Sequence, residues 1–187
     1  MHPRIDEVMT FLAREREELD HAVQSVPQSL RETRSHADRW SVAEIVEHLA
    51  IVESRVARVL SDAISEAIGQ GLPDETEVGS PVADFGVHRV YDRSTPRIAG
   101  EPSRPNGSLS AADAWAQLTA SRAKLTAALG AGDGRALGTI MRPHPVFGPM
   151  NVYQWAVFVG AHEGRHAAQV RELRDALTQS GLSAPPA

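Results

Sequence analysis

The chain has no cysteine among its 187 residues. Disulfide bonds and thiolate metal ligands are therefore excluded, and no thiol of the chain itself can act as a nucleophile. Any bound metal must be held by histidine, aspartate or glutamate. Positive charge is also scarce, because 19 Lys and Arg stand against 24 Asp and Glu and give a net charge of −5. Proteins that bind nucleic acids usually carry a basic surplus or patch, so we expect no nucleic-acid partner.

Long apolar runs are absent as well. No stretch approaches the roughly 20 residues that cross a bilayer. Residues 1–17, MHPRIDEVMTFLARERE, contain no apolar stretch of the length found in signal peptides. We therefore expect a cytoplasmic protein without membrane contact. The length and the 42% hydrophobic content are ordinary for one globular domain, which we place at residues 1–187.

Four segments carry apolar residues at helical spacing. They cover residues 3–26, 41–68, 110–129 and 151–178. Ser41 and Glu44 form the capping-box pattern that starts the second of them. Little of the chain has the alternation of a β-strand, and the segments therefore predict an all-α four-helix bundle. Arg16 interrupts the apolar stripe of the first helix, and we expect its charged end to reach solvent.

Two stretches between these helices lack a helical period. Residues 70–108 are rich in proline and glycine, and their segment VADFGVHRVYD predicts a short strand or an extended crossover. A connection of this length is uncommon in a compact domain, and it can carry the chain between two parallel helices. The second stretch, which includes MRPHPVFGP, precedes the last helix and is predicted to be irregular.

Two histidines share one face of the last predicted helix. At 100° per residue, His162 and His166 lie about 20° on either side of the line through Trp155 and Leu173. This places both imidazoles in the middle of the apolar stripe. Two buried imidazoles at i and i+4 need two separate partners or one shared metal ion, and the pairing favours the metal.

The same residues also match H-E-x-x-H, the zinc motif of metallopeptidases, in which Glu163 would be the general base. A peptidase needs a third ligand beyond the motif. Glu172 and Asp175 lie farther along the same helix, and a continuous helix cannot fold back onto the same ion. We therefore disfavour a peptidase.

A third ligand must come from elsewhere in the chain. His48 is the best-placed candidate because it lies well inside a predicted helix, but the spacing puts it at a flank of that helix's apolar stripe. The spacing supports a metal ligand and a boundary histidine about equally. The less favoured candidates, in termini, loops or a helix end, are His2, His21, His36, His88 and His144.

Two runs of the sequence resemble a known family. RWSVAEIVEHL at residues 39–49 is similar to the start of the second helix of DinB/YfiT-like proteins, and HPVFGPMNVYQWAVFVGAHEGRHAAQV at residues 144–170 is similar to their last loop and helix. The resemblance implies an up-down-down-up bundle with a long crossover between helices 2 and 3. It also implies a divalent metal bound by His48, His162 and His166. Zinc, nickel, iron(II) and manganese are all compatible with three histidines.

The resemblance also suggests a chemistry. Characterised relatives include S-transferases that use low-molecular-weight thiols such as bacillithiol or mycothiol, and other relatives isomerise or hydrolyse their substrates. An external thiol as co-substrate is compatible with a chain that has no cysteine. The alternatives are a metal-dependent hydrolase and a non-catalytic, stress-related bundle with a structural metal. We expect a small-molecule substrate and a homodimer, although the sequence identifies no dimer face.

Three residues are candidates for supporting roles at such a site. Gln169 lies one turn beyond His166 and can bond a ligand imidazole or a bound water, or it is a polar boundary residue. Glu163 is a weak catalytic candidate, about 100° round the helix from His162. Glu44 is another, although its capping role already explains it. We expect Trp40, Trp115 and Trp155 to be packing residues rather than platforms for a cofactor. We expect Arg165 to be solvated.

Overall fold

The computed structural model describes residues 1–94 and 99–179. Its helices and strands, in chain order, are α1 (Pro3–Gln24), α2 (Val42–Gly69), α3 (Pro81–Phe85), α4 (His88–Tyr91), α5 (Ala111–Ala131), β1 (Met141–His144), β2 (Gly148–Asn151) and α6 (Val152–Gln179). The long helices α1, α2, α5 and α6 form a four-helix bundle, as the sequence predicts. Within the described ranges, no helix combines the length and apolarity needed to cross a membrane.

The starts of the long helices follow from local side-chain chemistry. The Ser41 hydroxyl accepts the backbone N–H of Glu44 at 3.2 Å, and the Glu44 carboxylate accepts the Ser41 N–H at 2.9 Å. This is the predicted capping box. The Ser110 hydroxyl caps α5 by accepting the backbone N–H of Asp113 at 3.1 Å. Both starts lie where the sequence predicts them.

Two hydrophobic clusters, one at each end of the bundle, show the helix directions. One cluster joins the start of α1 and the start of α6 to the second halves of α2 and α5. The other joins the end of α1 and the end of α6 to the first halves of α2 and α5. Thus α1 and α6 run parallel to each other and antiparallel to α2 and α5, which is the up-down-down-up order. The long crossover returns the chain along the bundle so that α5 can run parallel to α2.

The two irregular stretches are more ordered than the sequence predicts. The VADFGVHRVYD segment contains the short helices α3 and α4, so the expectation of a strand or an extended crossover is wrong. Ser80 caps α3, Pro81 occupies its first turn, and Gly86 ends it with a φ of 65°. The stretch before α6 forms an antiparallel hairpin in which Met141 pairs with Asn151. Proline is tolerated there because a two-stranded ribbon has free edges on both sides.

An ionic layer lies between the two hydrophobic clusters, with one residue from each long helix: Arg16, Glu53, Arg122 and Glu163. Arg16 Nη2 lies 2.7 Å from the Glu163 carboxylate and 3.1 Å from that of Glu53. Arg122 lies 2.5 Å from Glu53 and 2.8 Å from Glu163. The carboxylates are 2% and 1% exposed. The expectation that Arg16 reaches solvent is therefore wrong, because its charge is paired inside the bundle.

Burial of this layer is costly, as the pKa of Glu53 shows. Removal from water raises the pKa of its carboxyl to about 7, although the Arg122 guanidinium acts in the opposite direction. Buried charges of this kind persist only when every partner is present. The layer therefore makes the four helices depend on one another at the middle of the bundle.

Candidate metal centre

Three histidine rings meet in the bundle, one from α2 and two from α6. The Nε2 atom of His162 lies 3.4 Å from Nε2 of His48 and 3.1 Å from Nε2 of His166. One ligand atom from each of the three lies within 4.8 Å of the other two. The structure thus brings together the residues that the sequence suggested as ligands, although 114 residues separate His48 from His162.

These separations fit a metal ion. Metal–imidazole bonds of about 2.0–2.1 Å place two nitrogens about 3.3–3.4 Å apart in a tetrahedral site. The same bond lengths give about 2.8–3.0 Å for neighbouring ligands of an octahedral site. The observed 3.1 and 3.4 Å lie within or between these values. The three histidines can therefore hold one divalent cation with little rearrangement.

Hydrogen bonds on the far side of two rings support the same interpretation. His48 Nδ1 lies 2.6 Å from the carbonyl oxygen of Ser103, and His166 Nδ1 lies 2.8 Å from the side-chain oxygen of Gln169. Because both partners are acceptors, each Nδ1 carries the proton and each Nε2 presents a lone pair. Two lone pairs thus point towards the Nε2 of His162, and a single proton there could satisfy only one of them. A cation satisfies all three nitrogens.

The protonation of the rings also suits metal binding. Burial lowers the pKa of the His166 imidazole to about 3, and the neighbouring His48 adds to the effect. Burial also lowers the pKa of His162 well below its ordinary value, again aided by the adjacent histidines. The pKa of His48 is lowered by burial and partly restored by the Ser103 carbonyl. All three rings are therefore neutral at pH 7, which is the form that binds metals.

The crossover explains why His48 is buried although it lies at a flank of the α2 stripe. Every residue from Val42 to Ala50 is buried, so this part of α2 is covered on all sides. Glu47 accepts the backbone N–H groups of Asn106 and Gly107, both at 3.1 Å, and so fixes the crossover against α2. The Ser103 carbonyl then reaches His48. The sequence did not predict the role of Ser103, because every residue has a backbone carbonyl and the residue type therefore does not indicate this contact.

Aromatic rings complete the walls around the triad. Phe158 stacks on His162 with 5.4 Å between centroids, and Trp40 lies 5.0 Å from the His48 ring. Trp40 also packs against the hydrophobic cluster at this end of the bundle, as the sequence predicts. The His144 ring lies 4.7 Å from Phe158, and its Nδ1 accepts the N–H of Val146 at 3.0 Å. His144 thus lines the site from the hairpin without joining the triad.

A pocket of about 630 Å³ opens from the three histidines towards solvent. Besides the triad, its lining includes aromatic side chains of α6 and the hairpin, residues of the crossover, and several arginines. Gln169 also lines it and makes the contact with His166 that its position on the helix predicts. A small molecule can therefore reach the convergent nitrogens.

Two weak catalytic candidates lie elsewhere. Glu163 is 1% exposed and its carboxylate is held by Arg16 and Arg122 of the ionic layer. Glu44 is held by Ser41 and by an ion pair with Arg34. Neither residue lines the pocket. The peptidase interpretation therefore loses its general base.

Arg165 was expected in solvent, and this expectation is wrong. Its Nη1 donates to the carbonyl of Val90 at 3.1 Å and to that of Asp92, so it fastens the end of α4 to α6. It is partly buried and lines the pocket.

The fold and the site define a class: a helical bundle whose second and last long helices bring three histidines to one open pocket. Residues 12–170 match the DinB superfamily, and the chain belongs to it. It is 25% identical over 145 residues to "Uncharacterized protein YuaE" of Bacillus subtilis (strain 168), covering 77% of this chain and 83% of that protein. The crystal structure of the four-helix bundle protein TT2238 superposes with a TM-score of 0.60 at 20% identity, covering 90% of this chain and 98% of that one.

The hydrogen bond from His166 to Gln169 predicts a measurable effect on metal affinity. Gln169→Ala removes the acceptor that fixes the orientation and tautomer of the His166 ring, and such losses weaken metal binding by about 10- to 100-fold. Competition titration with a chromophoric chelator measures the change. Gln117→Ala, on the exposed face of α5, is the matched control and should leave the affinity unchanged. Equal affinities for wild type and Gln169→Ala would contradict this role.

The lowered histidine pKa values predict how metal-free protein responds to acid. The folded-state pKa of His166 lies near 3, below the unfolded value of about 6.5. As the pH falls through this window, the unfolded chain takes up a proton that the folded chain does not, and stability decreases. His166→Gln should therefore flatten the loss of unfolding free energy between pH 6.5 and 5, by up to about 1.4 kcal/mol per pH unit.

Urea unfolding of the chelator-treated protein at several pH values tests this. His21→Gln is the control, because His21 is exposed at the end of α1 and should leave the slope unchanged. An identical pH slope for wild type and His166→Gln would show that His166 is protonated in the folded protein as readily as in the unfolded chain.

Proposed function

We propose that the protein is a metal-dependent enzyme that transfers a small electrophilic group to an external low-molecular-weight thiol. The observation that carries the proposal is the convergence of three neutral histidine nitrogens at the inner end of a pocket open to solvent. Structural metal sites are closed by four protein ligands, whereas catalytic sites use about three and leave a position for substrate. Three histidines beneath an open pocket therefore favour catalysis over a structural metal.

The ligand set suits the activation of a thiol. A divalent cation held by three neutral imidazoles keeps its full positive charge and favours the deprotonated form of a coordinated thiol or water. His48, His162 and His166 would hold this cation. Ser103 and Gln169 would keep the first and the last of these rings in the correct tautomer. Since the chain has no cysteine, the thiol must be a second substrate.

The distribution of carboxylates favours thiol transfer over hydrolysis. A metallohydrolase of the peptidase type needs a carboxylate base beside the bound water. Among the described residues that line the pocket, the acidic ones are Asp38 and Glu172, and both side chains are exposed. The Glu163 carboxylate is paired with Arg16 and Arg122 inside the ionic layer. A thiol substrate held at the metal would need no such base, because its proton would leave to solvent.

A transfer assay tests the proposal. Protein loaded with Zn²⁺, Ni²⁺, Fe²⁺ or Mn²⁺ is mixed with 1-chloro-2,4-dinitrobenzene and with bacillithiol, mycothiol or glutathione, and thioether and chloride are quantified. The thiol sulfur displaces chloride, and the thiol proton leaves to the buffer. We expect turnover with at least one metal–thiol pair, its loss in His48→Ala, and its retention in His21→Ala, which changes an exposed histidine.

The alternatives give different results in the same series. A hydrolase would cleave activated esters or lactones without any thiol. A non-catalytic bundle with a structural metal would show no turnover in wild type, and the histidine variants would lose only stability. Equal rates for wild type and His48→Ala would overturn the proposal.

A further inference from the structure

The charges around the pocket differ from those of the whole chain. Among the residues that the structure describes, four arginines line it: Arg39, Arg93, Arg104 and Arg165. The acidic residues among the described lining are Asp38 and Glu172. The pocket thus carries a positive surplus within a chain whose net charge is −5. A cation at three neutral histidines would add to this surplus.

We infer that the small-molecule substrate of this pocket carries an oxyanion, a carboxylate or a similar group, that is bound by Arg93 with help from Arg104. The inference rests on the proposed function, which places the reacting group of the substrate at the three histidines. It adds the chemical class of the group at the opposite end of the substrate. Arginine suits this role because its planar fork of donors matches the oxygens of a carboxylate.

The two terminal nitrogens of the Arg93 guanidinium have different surroundings. Its Nη2 pairs with the Glu172 carboxylate at 2.6 Å. Its Nη1 is buried and has no hydrogen-bond acceptor among the described residues. A buried charged donor that lacks a partner is costly, and a ligand oxygen in the pocket would remove that cost. Since Glu172 is 66% exposed, a ligand can replace it at little expense.

Arg104 is placed by the same segment that positions the triad. It follows Ser103, whose carbonyl bonds His48. Its guanidinium forms an ion pair with Glu101 at 2.7 Å, and the Glu101 side chain is 82% exposed. Such a surface pair contributes little, so the Arg104 guanidinium can turn to a ligand. Arg165, by contrast, is committed to the backbone carbonyls of Val90 and Asp92.

Arg93 shares its pocket with the triad. The cavity of about 630 Å³ is lined by Arg93 as well as by His48, His162 and His166. One small molecule can therefore reach both the convergent nitrogens and the Arg93 guanidinium. A neutral substrate would leave the Arg93 donor unsatisfied when it displaced water from the pocket.

The test compares two thiols of the same length, 3-mercaptopropionate and its uncharged amide, 3-mercaptopropionamide. Each is titrated into Co²⁺-loaded protein, where visible absorption reports thiol coordination and calorimetry reports total binding. We expect the carboxylate compound to bind about tenfold more tightly. A third thiol, 2-mercaptoethanesulfonate, distinguishes a tetrahedral oxyanion from the planar carboxylate by its relative affinity.

Three variants separate a specific contact from general charge attraction. Arg93→Gln should remove most of the preference and leave the affinity for the amide unchanged. Glu172→Gln should tighten binding of the carboxylate compound by about two- to fivefold, because it frees Arg93. Arg58→Gln makes the same charge change on the exposed face of α2 and should preserve the preference.

Equal affinities for the two thiols would overturn the inference, even where both coordinate the metal. A loss of preference in Arg58→Gln as large as in Arg93→Gln would also overturn it, because only net charge would then matter. If the protein takes up no metal, the proposed function fails. The affinities for the two thiols are then compared by calorimetry on the metal-free protein. There, a tenfold preference supports the oxyanion site, and equal or absent binding overturns it.

Discussion

Replacement of His48, His162 or His166 by alanine is expected to weaken binding of a divalent metal by at least about 100-fold. Loss of a supporting hydrogen bond at a metal site already costs 10- to 100-fold, and loss of a ligand removes one of only three protein bonds. The loss should be similar at all three positions because the nitrogens converge on one point, at 3.1 and 3.4 Å from the central His162.

Competition titration and metal analysis of purified variants measure this effect. His21→Ala is the control, since it removes an exposed imidazole from α1 and should bind metal like wild type. Circular dichroism and thermal unfolding of the metal-free variants show whether the bundle is intact. A folded His48→Ala variant that binds metal as tightly as wild type would exclude His48 as a ligand.

Glu163→Ala is expected to destabilise the bundle by about 3–5 kcal/mol, through the ionic layer and not through the metal. The substitution leaves Arg122 with one carboxylate partner in place of two, and it removes the closest partner of Arg16. Both guanidiniums remain inside the bundle, where an uncompensated positive charge is costly.

Urea unfolding of metal-free protein measures this change. The control is Glu18→Ala, which breaks an ion pair with Arg171 whose side chains are 52% and 40% exposed, so its cost should stay below about 1 kcal/mol. An equally small cost for Glu163→Ala would show that the layer contributes little. Loss of activity with unchanged stability would instead restore Glu163 as a catalytic base.

The sequence predicted the bundle because local side-chain chemistry determines where its long helices begin. Ser41 with Glu44 and Ser110 with Asp113 mark helix starts whatever the rest of the fold does. The crossover was harder to predict, because α3 and α4 are each shorter than two turns and lack a hydrophobic period. Helix α3 begins after Ser80 and ends at Gly86. Serine and glycine are equally common in loops, so these residues did not indicate a helix.

The face of α6 was only partly predictable. The spacing rightly placed His162 and His166 side by side. It also placed them in the middle of the buried face, whereas Glu163 lies nearer to that middle and His162 is partly exposed. The large apolar residue Trp155 suggested the wrong centre for the buried face of α6, since Trp155 lies at the edge of that face. The true centre is lined by small residues such as Ala156 and Ala167, whose apolar signal is weak.

The surroundings of the triad depend on contacts between distant segments. No sequence pattern pairs Arg16 of α1 with Glu163 of α6, so each charge alone suggested solvent. The Ser103 carbonyl and the Arg93 guanidinium reach the site only because the crossover folds back over α2 and α6. The resemblance to DinB/YfiT-like proteins supplied His48 as a third ligand, which helical spacing alone left open. In the structure, His48 lies beside His162 and His166.

X-ray data collected at the iron, nickel and zinc absorption edges, from crystals of protein purified without chelators, test the central claim most directly. We predict one strong anomalous peak, at about 2.0–2.2 Å from the Nε2 atoms of His48, His162 and His166. The edge at which it appears identifies the metal. A crystal that shows no peak there after soaking in Zn²⁺, Ni²⁺ or Mn²⁺, with the three rings hydrogen-bonded to one another instead, would contradict the account.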